Sequence, residues 1–272
     1  IGTYQRCSMQ KYARILESVR TSSPLVHHIT NYVTVNDCAN ITICIGASPV
    51  MSHAPEDVID MTKIASALVL NIGTLDPKQI ERMLVAGHVA ADRNIPIVLD
   101  PVGAGATPYR TKTVQQLIEE LPITVIKGNA GEIGKLAGTN AIVRGVDSGG
   151  VSGDRKTIVR DLAAQLDVVV IMSGEEDLIS DGTRVAGVHN GVALMKRLSG
   201  TGCMASAVCG AFAAVTPDTM DGCVAAMTSL GIAGEAAAKT AAGPGSFKPA
   251  FLDAVAALTP EQIAAFANVT EY

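Results

Sequence analysis

The chain has 272 residues and a net charge of −5, and 17% of its residues are charged, compared with about 25% in an average soluble domain. This composition is too apolar for a disordered chain, and six cysteines are too few for a disulfide scaffold. The negative charge argues against non-specific binding to nucleic acid or to an anionic membrane. The length allows one large domain or two small ones, and the shortage of charge predicts a large core, a subunit interface or both.

No targeting segment or membrane span is predicted. The longest charge-free run, 198–217, is mostly Gly, Ala, Ser and Thr and contains a proline. The cysteines form no CxxC pair and the histidines show no zinc spacing, so reduced thiols in a cytoplasm are expected. Residues 1–8 precede the first helical pattern and are interpreted as a leader or an added segment, which leaves 9–272 as one domain.

Six short apolar runs predict strands, and helical patterns lie between them. Most of the runs are uninterrupted, which is typical of strands buried on both faces of a parallel sheet. The runs are 25–29, 50–51, 67–70, 97–99, 124–126 and 168–171. Asp76-Pro77 with Gln79 predicts a helix start with a capping box and a helix through Arg93, and Thr259-Pro260 with Gln262 repeats the pattern. Strands that alternate with helices predict a parallel sheet covered by helices.

The pattern changes after residue 171. The runs 177–180 and 184–189, separated by Asp181-Gly182, predict a hairpin. An Ala-rich helical region follows over about 202–269, with an apolar stripe made of Met204, Val208, Phe212 and Val215. The sequence therefore predicts one doubly wound α/β domain with a mostly parallel sheet flanked by helices, an antiparallel edge hairpin and a helical C-terminal third.

Polar and glycine-rich segments follow four of the predicted strands, at 100–105, 127–132, 173–175 and 199–203. Ligands of doubly wound sheets bind beyond the carboxyl ends of the strands, so these segments predict a site at that edge. Gly200 and Gly202 at a helix entry suit a phosphate group, although no Lys-Ser/Thr follows them as in a Walker A loop. The pattern alone favours the simpler interpretation, in which the glycines only form a tight helix entry.

The other candidate residues each carry two interpretations. Asp100 is typical of a Mg²⁺ ligand or of a turn before proline. Asn129 and Glu132 have the spacing of a capping box, which their pattern favours over a metal site. Lys127 is expected either to contact a nucleotide phosphate or to be a solvated strand end.

Three further residues could contact a substrate. Cys203 lies in the first turn of a helix, where the dipole favours a thiolate, and is a base, a substrate contact or a small apolar residue. Asn31, close to His27 and His28, is a ligand contact or part of a polar turn. Met51 is a ligand contact or, like most methionines, part of the core.

Taken in chain order, these segments resemble the hydroxyethylthiazole kinases, the thiazole-salvage enzymes of thiamine synthesis. The runs GASPVM at 46–51 and KGNxxE at 127–132 are the most specific. The remaining matches are PLVH at 24–27, ITNYV at 29–33, AN at 39–40, LDPVGA at 99–104, SGE at 173–175 and GTGC at 200–203.

The resemblance implies a ribokinase-like fold and ATP-dependent phosphorylation of the primary alcohol of 4-methyl-5-(2-hydroxyethyl)thiazole. It also implies a homotrimer with active sites between subunits. By position, the resemblance assigns Mg²⁺ binding to Asp100 and Glu132, and ATP contacts to Lys127, Asn129 and Ser173. It assigns substrate contacts to Asn31, Met51 and Gly200. The catalytic loop contains Gly200, Gly202 and Cys203.

The sequence departs from the pattern at few positions. His28 replaces other residues and receives no role, and Gly131 and Gly134 flank Glu132 in a helix that would favour stronger helix formers. Many ribokinase-like kinases carry Asp as the base at the position of Cys203, so Cys203 is either a base or a group that positions the substrate.

Three related classes are alternatives. Hydroxymethylpyrimidine and pyridoxal kinases share the GTGC loop, but the segments 29–31 and 46–51 favour the thiazole. Nicotinamide-nucleotide-hydrate dehydratase, a lyase on a related fold, usually has Asp where Cys203 stands. A non-catalytic ligand-binding relative is disfavoured by the complete set of Asp100, Glu132 and the 200–203 loop.

Overall fold

The computed structural model describes the backbone of residues 2–139 and 154–272, and the side chains of 9–138 and 154–272. Within these residues, nine strands form one sheet in the order β2-β1-β3-β4-β5-β6-β7-β8-β9. Strands β1 to β6 pair in parallel, and β7, β8 and β9 pair antiparallel at one edge. The strands are β1 (Leu25–Ile29), β2 (Ser48–Met51), β3 (Ala67–Asn71), β4 (Ile97–Asp100), β5 (Val125–Asn129), β6 (Val169–Ser173), β7 (Asp177–Ser180), β8 (Val185–Val188) and β9 (Val269–Glu271).

Helices cover both faces of the sheet. They are α1 (Gly2–Ser22), α2 (Val35–Ile45), α3 (Pro55–Ile64), α4 (Pro77–Asp92), α5 (Pro108–Glu120), α6 (Ala130–Thr139), α7 (Arg155–Leu166), α8 (Thr201–Ala213), α9 (Thr219–Ala238), α10 (Pro244–Ala257) and α11 (Pro260–Phe266). A 3₁₀ turn at Ala193–Arg197 precedes α8. In the described part of the chain, no helix has both the length and the apolar content needed to cross a bilayer.

The core consists of two layers on opposite faces of the sheet. Leu68 and Leu70 of β3 pack with α3 to α7, whereas Val69 between them packs with α1, α2 and α8 to α11. Successive side chains of a strand point to opposite faces, so both sides of β3 are apolar and the run is uninterrupted. The prediction of parallel strands buried on both faces is confirmed.

Helix α8 lies against the centre of the sheet. A Cβ atom at Gly210 would be 2.7 Å from Cγ2 of Val69 and 3.3 Å from Cγ1 of Val26, so the helix approaches the strands this closely because the residue is glycine. Residues 204–213 are all buried, whereas the predicted stripe covered one face only. Met204, Val208 and Phe212 of that stripe are buried in α8, whereas Val215 lies beyond its end and is half-buried. The other faces of the helix are buried as well because α2 and α9 pack on them.

The hairpin prediction is confirmed by β7 and β8, but the C-terminal region is not helical throughout. Its last element, β9, pairs antiparallel with β8. Three residues are too short to show a strand period, so the sequence pattern did not reveal this strand. Helix α1 starts at Gly2, inside the segment 1–8 interpreted as a leader; residue 1 and the side chains of 2–8 lie outside the described residues.

The two predicted capping boxes differ. At α11, Thr259 and Gln262 exchange both hydrogen bonds, as predicted. At α4, the Asp76 carboxylate accepts from the Gln79 backbone N–H at 2.9 Å, but the Gln79 side chain does not return the bond. Its Nε2 instead donates to the carbonyl of Thr30 at 3.0 Å, which ties α4 to the loop after β1.

The side chains of His27 and His28 are both buried in β1. His27 Nδ1 lies 2.8 Å from Oγ1 of Thr62, whose own hydrogen goes to the Val58 carbonyl, so Nδ1 donates and Nε2 accepts from Ser52 Oγ at 2.6 Å. His28 Nε2 lies 3.4 Å from Thr42 Oγ1, and its Nδ1 has no hydrogen-bond partner among the described residues. Burial lowers the pKa of His27 to about 4 and that of His28 to about 3.

These histidines predict that the protein loses stability in mild acid. Because the unfolded chain binds protons below about pH 6.5 while the folded chain does not, the free energy of unfolding falls as the pH drops from about 6.5 to about 4. Each histidine contributes up to about 1.4 kcal/mol per pH unit. Urea unfolding of the wild type and of His28→Leu at several pH values should show a smaller slope in the variant. His88→Gln, which removes an exposed histidine, should keep the wild-type slope, and an unchanged slope in His28→Leu would contradict the assignment.

Candidate active site

The carboxyl edge of the sheet brings together residues from four segments. Asn71 ends β3 and is the register partner of Asp100 at the end of β4. Asn31 follows β1, and Cys203 lies in the first turn of α8. Because α8 packs on the centre of the sheet, its N-terminus lies where these strands end, as expected for a ligand site in a doubly wound fold.

A hydrogen-bond network joins these four side chains. Asn31 Nδ2 donates to Asn71 Oδ1 at 2.9 Å, and Asn71 Nδ2 donates to Asp100 Oδ2 at 2.9 Å. The two amide nitrogens also reach Cys203 Sγ, at 3.4 Å from Asn31 and 3.3 Å from Asn71. Ser206 Oγ completes the network by donating to Asp100 Oδ2 at 2.7 Å.

Sequence reasoning missed Asn71 and Ser206. Asn71 directly follows the apolar run 67–70, as Asp100 follows 97–99, so a polar residue ending a buried run was a usable signal. Ser206 is three residues after Cys203, and residues with this spacing share one face of a helix. Either residue could have been found by asking which polar side chains must accompany a buried carboxylate.

Asp100 is buried at the centre of the network. Burial raises the pKa of its carboxyl group to about 6, and the negative charge of Glu132 acts in the same direction. Lys127 and the hydrogen bonds from Ser206 and Asn71 partly oppose this rise. Both hydrogen bonds go to Oδ2, and no donor in the described part of the chain bonds to Oδ1.

Glu132 and Asn129 form the capping box that their spacing indicated. Asn129 Oδ1 accepts from the Glu132 backbone N–H at 3.0 Å, and Glu132 Oε2 accepts from the Asn129 N–H at 2.8 Å. In addition, Glu132 Oε1 accepts from the N–H of Gly103 at 2.8 Å. Its carboxylate therefore fixes the loop after β4 to the start of α6. No cluster of three or more His, Cys, Asp or Glu residues suited to a metal ion occurs in the described ranges.

The guanidinium of Arg110, on α5, organises two loops at the same edge. It donates to the carbonyls of Ile72 at 3.0 Å, Gly73 at 2.9 Å and Val102 at 2.6 Å. The first two follow β3 and the third follows β4, so a single side chain holds together the loops that flank Asn71 and Asp100. No local sequence pattern indicated this role, because Arg110 is far from the loop after β3 in the sequence.

Lys127 is buried at the end of β5 and donates from Nζ to the carbonyl of Gly202 at 2.9 Å. Among the described residues, no carboxylate lies within salt-bridge distance of this ammonium group. A buried cation held only by a carbonyl favours an anionic ligand. The interpretation of Lys127 as a solvated strand end is wrong.

The N-terminus of α8 has no side-chain cap. Gly200 occupies the cap position in the left-handed region with φ +90°, and a Cβ atom there would be 2.7 Å from Cγ2 of Thr34. The loop therefore needs glycine at this position. The backbone N–H groups of the first turn have no intrahelical acceptor, and together with the helix dipole they suit a phosphate group.

A cleft of about 760 Å³ opens beside Lys127 and this helix terminus. Its polar end contains Asn129 and Ser173, and Ser173 Oγ donates to the carbonyl of Gly128 at 3.2 Å. Its lining also includes apolar side chains from Val192, the 3₁₀ turn and α9; the others are Ala193, Met195, Met227 and Leu230. The volume lies in the range of small-molecule and cofactor sites. Lys127, Asn129, Ser173 and Gly202 are thus brought together as predicted.

None of the three predicted substrate residues, Asn31, Met51 and Gly200, lines this cleft. Asn31 contacts Cys203 directly, and Met51 ends β2, the strand next to β1, where it is half-buried. The surface beside these residues is apolar: the side chains of Tyr32 and Val33 are 79% and 63% exposed. Met51 therefore shares the sheet edge with Asn31 but does not line the cleft.

Comparisons with known proteins agree on one family. The family described as "Hydroxyethylthiazole kinase family" matches residues 16–261. A hydroxyethylthiazole kinase from Methanocorpusculum labreanum is 69% identical over 97% of this chain and 100% of its own length. The solved structure of a hydroxyethylthiazole kinase protein from Pyrococcus horikoshii OT3 is 39% identical, with a TM-score of 0.89 over 96% of this chain and 98% of that chain.

A more distant structure supports the fold alone. A ribokinase-like superfamily protein from Enterococcus faecalis V583 aligns with a TM-score of 0.65 at 13% identity, covering 87% of each chain. The prediction of a ribokinase-like fold is confirmed.

Proposed function

The chain belongs to the hydroxyethylthiazole kinase family, and we propose that the site described above transfers the γ-phosphoryl group of ATP to the primary alcohol of hydroxyethylthiazole. The observation that carries this proposal is Lys127, a buried ammonium group without a carboxylate partner in the described residues, at the end of a cleft of nucleotide size. Its position beside the uncapped N-terminus of α8 places two anion-binding features at one point.

ATP binds in the cleft of about 760 Å³ in this proposal. The apolar side chains of the 3₁₀ turn and α9 receive the adenine base. Asn129, Ser173 and Lys127 line the same cleft. The Gly200–Gly202 loop and the first turn of α8 present backbone N–H groups to the transferring phosphoryl group. Phosphoryl transfer depends mostly on positioning and electrostatic stabilisation, and fixed N–H donors supply both.

Asp100 and Glu132 are proposed to hold Mg²⁺. Two carboxylates suit this ion, which usually keeps several waters and takes its other ligands from phosphate oxygens. The raised pKa of Asp100 and its unbonded Oδ1 mark a place where negative charge is incompletely compensated. Glu132 retains further acceptor capacity on each carboxylate oxygen beyond its backbone bond. When bound, Mg²⁺ neutralises charge on the phosphate oxygens.

The alcohol is proposed to lie next to Cys203, with Asn31, Met51 and Gly200 around it. Its oxygen attacks the γ-phosphorus as the bond to the bridging oxygen breaks, ADP leaves with the electron pair, and the alcohol proton passes to the transferred phosphoryl group. The chain's own contribution is to hold the two reactants in line and to exclude water.

A substrate panel tests the reaction. ATP consumption should be highest with hydroxyethylthiazole when hydroxymethylpyrimidine and pyridoxal are assayed in parallel.

A second prediction concerns Lys127. Lys127→Met, which removes the charge of the side chain at similar length, should lower kcat/KM for ATP about 100-fold. Lys112→Met, an exposed lysine on α5, is the matched control and should keep wild-type kinetics. Absence of thiazole turnover by the wild type would reject the proposal.

The metal assignment makes a separate prediction. Asp100→Asn and Glu132→Gln should each raise the Mg²⁺ concentration needed for half-maximal rate by at least about 10-fold, because each removes one negative charge. Glu119→Gln alters an exposed carboxylate on α5 and should leave the Mg²⁺ dependence unchanged. Thermal unfolding of each variant controls for folding. Full activity of both site variants at limiting Mg²⁺ would show that these carboxylates do not hold the ion.

We also propose a cytoplasmic homotrimer with the alcohol side of each site at a subunit interface. The cytoplasmic location is supported by five free cysteines in the described residues. The interface is supported by the exposed apolar side chains of Tyr32, Val33, Ile43 and Ile64, the first two of which follow Asn31 directly.

Light scattering after size exclusion should give a mass about three times 28.1 kDa. Val33→Asp should reduce this mass and lower activity together, because it places a charge in the proposed interface. Tyr109→Asp changes a half-exposed aromatic residue on α5 and should leave the mass unchanged. A wild type that is monomeric and fully active would contradict the proposal.

A further inference from the structure

Each of the two side-chain N–H hydrogens of Asn31 and of Asn71 has a hydrogen-bond acceptor in the network. An amide nitrogen only donates hydrogen bonds and carries two hydrogens. Asn31 Nδ2 places one on Asn71 Oδ1 and one on Cys203 Sγ, and Asn71 Nδ2 places one on Asp100 Oδ2 and one on Cys203 Sγ. The orientation of both amides is therefore fixed by the network.

This assignment limits what the Cys203 sulfur does. A neutral thiol has two lone pairs and one hydrogen, and here both lone pairs face amide donors. The neutral sulfur has no lone pair left for the proton of an alcohol. Its one S–H remains available to donate, because the two amide nitrogens carry no acceptor for it. Neutral Cys203 thus orients an alcohol oxygen rather than taking its proton.

Asn71 also sets the position of the sulfur relative to the carboxylate. Its side chain is buried, and its one nitrogen bridges Cys203 and Asp100. Its Oδ1 accepts from Asn31 and from the backbone N–H of Gly73 at 2.9 Å. A Cβ atom at Gly73 would be 2.9 Å from Cβ of Asn31, so the loop after β3 packs closely against Asn31.

We propose that Asn71 is the positioning residue of the phosphoryl-transfer site, and that it holds the Cys203 thiol at a fixed place beside Asp100 so that the thiol orients the acceptor alcohol. This inference rests on the proposed kinase function. It assigns to Asn71 a role in the rate of transfer and no role in ATP binding, since Asn71 does not line the nucleotide cleft.

Two variants separate this role from a purely structural one. Asn71→Asp keeps Oδ1 as the acceptor for Gly73 and Asn31 but loses both N–H donors and places a carboxylate oxygen where Nδ2 lies 2.9 Å from Asp100 Oδ2. Asn71→Leu loses the acceptor as well but adds no charge, so a fall in kcat that both variants share does not come from charge repulsion. In both, kcat should fall about 10- to 100-fold, while KM for ATP changes by less than about threefold. A structural role through the Gly73 turn would be preserved in Asn71→Asp. If Asn71→Leu does not fold, Asn71→Asp carries the test.

A double-mutant cycle identifies the partner. If Asn71 acts through the sulfur, Asn71→Leu should cost much less in a Cys203→Ala background than in the wild type. The matched control is Ser206→Ala, which loses the other donor to Asp100 but does not contact Cys203. The fold-loss of kcat in the double variant Ser206→Ala/Cys203→Ala should equal the product of the fold-losses in the two single variants.

The assays are run on whichever of the three alcohols the wild type phosphorylates, so an error in the substrate assignment does not affect the test of Asn71. Two results would overturn the inference. One is a kcat for Asn71→Asp within about twofold of the wild type. The other is fully multiplicative effects of Asn71→Leu and Cys203→Ala.

Discussion

The close approach of α8 to the centre of the sheet is the constraint on which the site depends. It requires glycine at position 210, against Val69 and Val26. The approach places the first turn of α8 at the carboxyl edge, where Cys203 meets the two amides and Ser206 meets Asp100. The Gly- and Ala-rich, charge-poor composition follows from this geometry, because a helix buried on all sides has no polar face.

The two buried charged side chains of the site, Asp100 and Lys127, do not form an ion pair with each other. Asp100 is held by amide and hydroxyl donors, and Lys127 is held by the carbonyl of Gly202. A direct ion pair between buried groups would neutralise both and leave neither for a ligand. Neutral partners instead fix each group without neutralising it, and burial raises the pKa of the Asp100 carboxyl group to about 6. Under the proposed function, a polyanion with its cation would complement this arrangement.

The sequence predicted β1, β3, β4, β5 and β6 well because burial on both faces leaves a clear apolar run, whereas the edge strand β2 is half-buried and shows an apolar run of only two residues. It located Asp100, Lys127 and the glycine loop because they follow such runs. It did not reveal β9, which is too short for a period, or the contact between Gln79 and Thr30, which joins distant segments. The spacing of Asn129 and Glu132 correctly indicated a capping box, but no local pattern could show that the same carboxylate also holds Gly103.

The two sides of the site differ in how completely this chain encloses them. The cleft that we propose for the nucleotide is lined by residues of strands, the 3₁₀ turn and α9 of a single chain. On the proposed alcohol side, Asn31 is instead followed directly in the chain by the exposed side chains of Tyr32 and Val33. Phosphoryl transfer to an alcohol competes with transfer to water, so an open alcohol side would waste ATP. In the proposed reaction, the need for a cover therefore falls on the face that bears the exposed side chains of Tyr32 and Val33.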